Sequence, residues 1–142
     1  MSDGAENVAT VEAALEAFQR QDMEAFLPFL DPEIETFSAP ELANPIHVVG
    51  RDKWLAWVAD WYDAWETFEI EAETIEPVGA RHVIVTALQR GTGKGSGVEV
   101  ELLVYYMFEM RDGVAVRYHL YPDREQALEA ARAGEQAAVE KD

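Results

Sequence analysis

The stretch of this chain that most restricts its fold lies near the C-terminus: Val98–Arg111, then Asp112-Gly113, then Val114–Tyr121, then Pro122-Asp123-Arg124-Glu125. Along the first segment the even positions Val98, Val100, Leu102, Val104, Tyr106, Phe108 and Met110 are all apolar. A two-residue period over that length is a strand with one face in a core, and Asp-Gly between two such runs is a hairpin turn. Asp123 then caps a helix, with Gln126 three residues on in a capping-box arrangement. The odd positions of the long strand are charged at its ends (Glu99, Glu101, Glu109, Arg111) and apolar in its middle (Leu103, Tyr105, Met107). An apolar island on the outer face of a sheet predicts contact with another protein surface, and a homodimer through this outer sheet face is the expectation.

Upstream, Val8, Val11, Leu15 and Phe18 recur at helical spacing. Asp22 N-caps a second helix carrying Met23, Phe26, Leu27 and Leu30, which Asp31-Pro32 stops. Glu33–Ser38 alternates as a short strand, and residues 40–49 lack a period and read as a loop. Gly50 opens a helix striped by Trp54, Val58, Trp61 and Trp65, so that all four tryptophans fall on it. Helices are thus expected over 8–31 and 51–66, and strands over Phe68–Pro77 and His82–Gly91. The order αα-β-α-ββββ-α predicts an α+β fold, a curved sheet wrapped on a helical layer and enclosing a pocket. One domain is expected over 8–132, between a frayed N-terminus at 1–7 and a flexible acidic tail at 133–142.

Hydrophobic residues make up 49% of the chain, enough for a packed core. The absence of cysteine excludes disulfides, thiolate metal sites and a cysteine nucleophile. No run reaches transmembrane length and the first residues are polar, unlike a signal peptide, so a cytoplasmic location is expected. A formal net charge of −17 repels phosphate backbones and anionic lipids, which removes nucleic acid and membranes from the expected partners.

Chemistry-bearing side chains gather on the last strand as Arg117, Tyr118, His119 and Tyr121. With a plain two-residue turn Tyr106 pairs with His119, which turns His119 and Arg117 inward beside Tyr106 and Phe108. A β-bulge reverses this and sends Tyr118 and Leu120 inward. The first register gives a catalytic pair, His119 and Tyr106, suited to proton transfer near neutral pH; the second gives a mostly apolar cavity. His47 lies in the 40–49 loop, placed to act as a lid, and His82 follows Arg81 at a turn and reads as solvated. Histidines this scattered form no metal site, and no cofactor is expected. Gly91–Gly97 misses the phosphate-loop spacing and joins two strands, so it reads as a hairpin connection.

Four features together resemble the nuclear-transport-factor-like superfamily: the Asp22 helix start, the Pro32-Glu-Ile-Glu strand start, the long strand ending Arg111-Asp112-Gly113, and the exit Tyr121-Pro-Asp-Arg-Glu-Gln-Ala-Leu. Within it, Gly93-Lys-Gly-Ser-Gly-Val-Glu-Val-Glu101 ahead of that exit is similar to the SnoaL-like group. The resemblance implies a cone-shaped, strongly curved, mostly antiparallel β-sheet wrapped around three N-terminal helices, with a short C-terminal helix. It also implies a deep pocket and usually a dimer. Isomerases, cyclases, dehydratases and epoxide hydrolases share this fold, so it names no reaction.

The residues those enzymes need are absent. Ketosteroid isomerase-like members carry a tyrosine and an aspartate where this chain has Ala14 and Ala39. Limonene epoxide hydrolase-like members carry Arg-x-Asp where it has Ala87-Leu88-Gln89. The last-strand acid of those hydrolases and of SnoaL-like polyketide cyclases falls at Leu120, and no Asp or Glu lies between Val114 and Tyr121. The expectation is a small-molecule-binding protein whose apolar aromatic pocket is lined by Phe18, Phe37, Trp54, Trp61, Tyr106, Phe108 and Tyr118 and takes a small apolar ligand. Two functions stay open: acid–base isomerisation or cyclisation, and a non-catalytic dimeric binding or assembly module.

Overall fold

The computed structural model describes residues 4–38 and 47–141. In chain order the elements are α1 (Gly4–Gln19), α2 (Met23–Phe26) running into a 3-10 turn (Leu27–Phe29), β1 (Leu30–Ser38), β2 (His47–Val49) and α3 (Arg51–Asp63). Then follow β3 (Trp65–Val78), β4 (His82–Gly93), β5 (Glu99–Arg111), β6 (Val114–Tyr121) and α4 (Arg124–Lys141). The strands form one curved, unclosed sheet of order β2-β1-β6-β5-β4-β3. Only β1 with β6 is parallel. This is the α+β architecture expected.

Local chemistry sets the element ends. The Asp22 carboxylate accepts the Ala25 N–H at 3.2 Å, and Asp123 accepts the Gln126 N–H at 2.8 Å, so each caps its helix. Asp112 and Gly113 have φ of 52° and 81°, the paired left-handed conformation a two-residue hairpin turn requires. One boundary differs from expectation. Helix α3 stops at Asp63 and Trp65 opens β3, because the ladder with β4 extends to a Trp65–Gly93 pair. Of the expected 40–49 loop, residues 40–46 lie outside the described residues, and 47–49 pair with β1.

Helices α1 and α3 cover the concave face of the sheet. Val11, Ile34, Val83, Val85, Ala87 and Ala115 lie fully buried there. Helix α4 crosses the convex face, packing Ala127 and Ala131 on Ile84 and Met107. Part of the apolar island of β5 is therefore covered by the chain's own last helix, while Leu103 stays 37% exposed.

The segments expected to fray are helical as far as they are described, because polar anchors hold both. Buried Asn7 donates to the Ala80 carbonyl at 2.8 Å. Glu135 accepts the Ala80 and Arg81 N–H groups at 3.0 and 2.9 Å and sits 2.5 Å from His82 Nδ1. His82, expected in solvent, is 3% exposed, since α4 lies over it. Gly134 makes that approach possible, for a Cβ there would stand 2.6 Å from His82 Nε2. Ala for Gly inside a helix ordinarily adds up to about 1 kcal/mol. Gly134→Ala is expected to do the opposite and lower the melting temperature, measured by circular dichroism.

Candidate functional site

Strand β6 decides what the concave face can do. Arg111 pairs with Val114 and Met110 with Ala115, but Glu109 then pairs with Arg117, leaving Val116 as a bulge. From there Phe108 faces Tyr118, Met107 faces His119 and Tyr106 faces Leu120. The bulge puts Tyr118 and Leu120 on the concave face and turns Arg117 and His119 outward. Its physical reason is the arginine. Inside, a guanidinium would be buried without a counter-charge; outside, it meets Glu35 at 3.3 Å and Glu109 at 3.5 Å. The expected His119–Tyr106 catalytic pair is not formed, since the two side chains lie on opposite faces of the sheet.

The concave wall holds four of the seven expected ligand contacts. Trp54 is 3% exposed, stacks on Phe26 at 5.4 Å, and its indole N–H donates to the Tyr118 hydroxyl at 2.6 Å. Phe108 packs between Phe29 and Tyr118, each at 5.4 Å. Tyr106 is half-buried and accepts from the Gln89 amide at 2.5 Å. Burial pushes the Tyr118 phenol up to about 12, against the opposing Trp54 N–H. The Tyr106 phenol is likewise raised, by burial and then by Tyr118. Both phenols are neutral donors across physiological pH. The Thr36 hydroxyl lies close enough to Tyr118 to lower it slightly, but has no partner at full hydrogen-bond geometry. Gln89 and Leu120 beside Tyr106 are also half-buried, and Leu102 carries the same face outward, 47% exposed. No carboxylate or cationic side chain joins this wall among the described residues.

The other three expected contacts lie elsewhere. Phe18 packs on Phe26 and Tyr62. Trp61 sits among Trp57, Trp65 and Phe68. Phe37 is on the convex face, stacked between His47 at 4.3 Å and His119 at 4.4 Å, and Tyr121 continues the row with its hydroxyl 3.1 Å from His119 Nδ1. Burial and then the Arg117 charge lower His119 to about 4. The folded state therefore takes up this proton only near pH 4, while an unfolded histidine takes it near 6.5. Stability accordingly falls as pH drops between those values. An NMR titration of the His119 ring is expected to find its midpoint near 4, and Phe37→Ala to move it back toward the free value.

Two clefts flank β3, one of 350 Å³ against α1 and one of 670 Å³ beside Tyr62, Trp65 and Phe68. Of the expected ligand contacts only Phe18 lines either. Gln89 and Thr36 escaped sequence reasoning. The signal for Gln89 was there: it follows Val83, Val85 and Ala87 on the inward positions of β4 as the one polar member.

Solved structures similar to this one share the fold across nearly the whole chain. An NTF2-like protein of unknown function from Burkholderia pseudomallei superposes with a TM-score of 0.73 at 20% identity, covering 89% of this chain and 95% of that one. A proposed SnoaL-like polyketide cyclase from Jannaschia gives 0.71 at 20% identity over 90% and 92%. TerC, co-crystallised with polyporic acid, gives 0.71 at 18% identity over 89% and 98%. No curated protein gives a significant match. Residues 11–118 match the SnoaL-like domain, and on that match the chain belongs to the SnoaL-like family.

Proposed function

We propose that the concave wall binds a small, neutral, largely apolar molecule without acid–base turnover. The observation that carries this reading is the convergence of Trp54, Tyr106, Phe108 and Tyr118 on one wall whose polar groups are all uncharged. Proton transfer at neutral pH needs a group that titrates there. Both phenols are raised out of that range, and His119 is on the other face. TerC, a protein of this fold, was co-crystallised with polyporic acid, which supports a small-molecule role for the architecture. Titration with naphthalene, followed by the Trp54 indole N–H resonance, is expected to give a saturable shift. Leu120→Trp, which fills the wall, is expected to abolish it. A Trp54 resonance that never moves would end this reading.

The convex row favours an accompanying assembly role, with two copies meeting through the outer sheet face. His47, Phe37, His119 and Tyr121 form a row of partly exposed rings beside Arg117, Glu35 and Glu109, charges of both signs that a twofold axis can pair reciprocally. Phe37→Asp is expected to convert a dimer to a monomer by light scattering. An unchanged mass would reject the interface.

A further inference from the structure

The larger cleft, 670 Å³, follows the free edge of β3. Because β3 is the last strand of the sheet, both of its faces reach this cleft. Phe68 comes from the concave side, and Glu69 and Glu71 from the convex side. Tyr62 of α3 stands at 87° to Phe68 with centroids 5.4 Å apart, and Trp65 lies at 40° to Phe68 at 5.8 Å. Rings set at such angles make a corner rather than a stack, and a corner presents more than one ring face to the same space.

Charge points the same way. Glu66, Glu69 and Glu71 line the cleft, and no Lys or Arg does among the described residues. Arg90 on β4 reaches Glu71 at 3.5 Å but is also held by Glu101 at 3.0 Å. Glu69 stands cross-strand from Arg90 and feels its charge without a close contact, and no ion pair engages Glu66 among the described residues. The geometry points to a binding site for an organic ammonium cation. Its charged head would lie against the faces of Tyr62 and Phe68, balanced by Glu66 and Glu69, with its carbon body along Trp65. Aromatic faces attract such cations through their quadrupole, and the net charge of −17 raises the local concentration of any cation. Carboxylates alone would also suit a hard metal ion, but the ring faces beside them favour an organic cation.

The test compares benzyltrimethylammonium with neopentylbenzene, its uncharged isostere, at about 0.5 M salt, where bare surface attraction is screened. Binding is read from the indole N–H resonances of the four tryptophans. The cation is expected to shift Trp65 saturably, to leave Trp54 unmoved, and to bind at least about tenfold tighter than the isostere. Glu66→Gln with Glu69→Gln is expected to weaken it about tenfold with an unchanged circular dichroism spectrum. Equal affinity for the two probes, loss of the shift in salt, or Trp54 moving before Trp65 would each overturn the proposal.

Discussion

Trp54→Ala is expected to lower the unfolding free energy by about 4 kcal/mol, the scale of emptying a large buried aromatic site. The indole is 3% exposed, stacks on Phe26, and holds the Tyr118 hydroxyl at 2.6 Å. Alanine removes the ring volume and also leaves a buried phenol without its N–H donor. Trp54→Phe separates the two effects. It keeps most of the ring and loses only the hydrogen bond, so a loss of about 1–2 kcal/mol is expected. Urea unfolding followed by circular dichroism reads both. A loss for alanine no larger than that for phenylalanine would show that the ring is not packed as described.

Glu135→Ala is expected to cost about 3 kcal/mol and to release α4 before the rest of the molecule. One carboxylate there serves three partners: the His82 ring and the N–H groups of Ala80 and Arg81. Removing the carboxylate leaves the buried His82 ring and two backbone N–H groups without their partner, which is why the loss exceeds the worth of any one of these bonds. Helix α4 depends on this anchor because its own apolar contribution is small, chiefly Ala127 and Ala131. Hydrogen exchange should therefore speed up in α4 well before it does in β4 and β5. Uniform acceleration across the sheet would instead make the contact part of the global core. Glu135→Gln keeps a carbonyl oxygen for the backbone donors and is expected to recover part of the loss.

The hairpin, the two capped helices and the alternation of β5 were legible because each rests on local chemistry: Asp112-Gly113, Asp22, Asp123, and a run of inward apolar residues. The facing of β6 was not. Both registers of Val114–Tyr121 satisfy the pattern of β5, and the choice is made by Glu35, far away in the chain, together with Glu109 across the hairpin, which meet Arg117 outside. His82 was misplaced for a related reason, since what buries it arrives much later in the chain as Gly134 and Glu135. The Trp65 boundary failed because helical and strand periods both fit that ring, and the cross-strand pairing with Gly93 decides.

The bulge at Val116 lets the last strand carry one residue more than the strand opposite without changing which side chains face the helices. Deleting that residue would straighten the ladder and leave Arg117 opposite Glu109 and Tyr118 opposite Phe108, whereas straightening the strand with Val116 kept would carry Arg117 and His119 through the sheet together. An uncharged concave wall and one holding a histidine are therefore separated by a change of register, with no side chain exchanged for another.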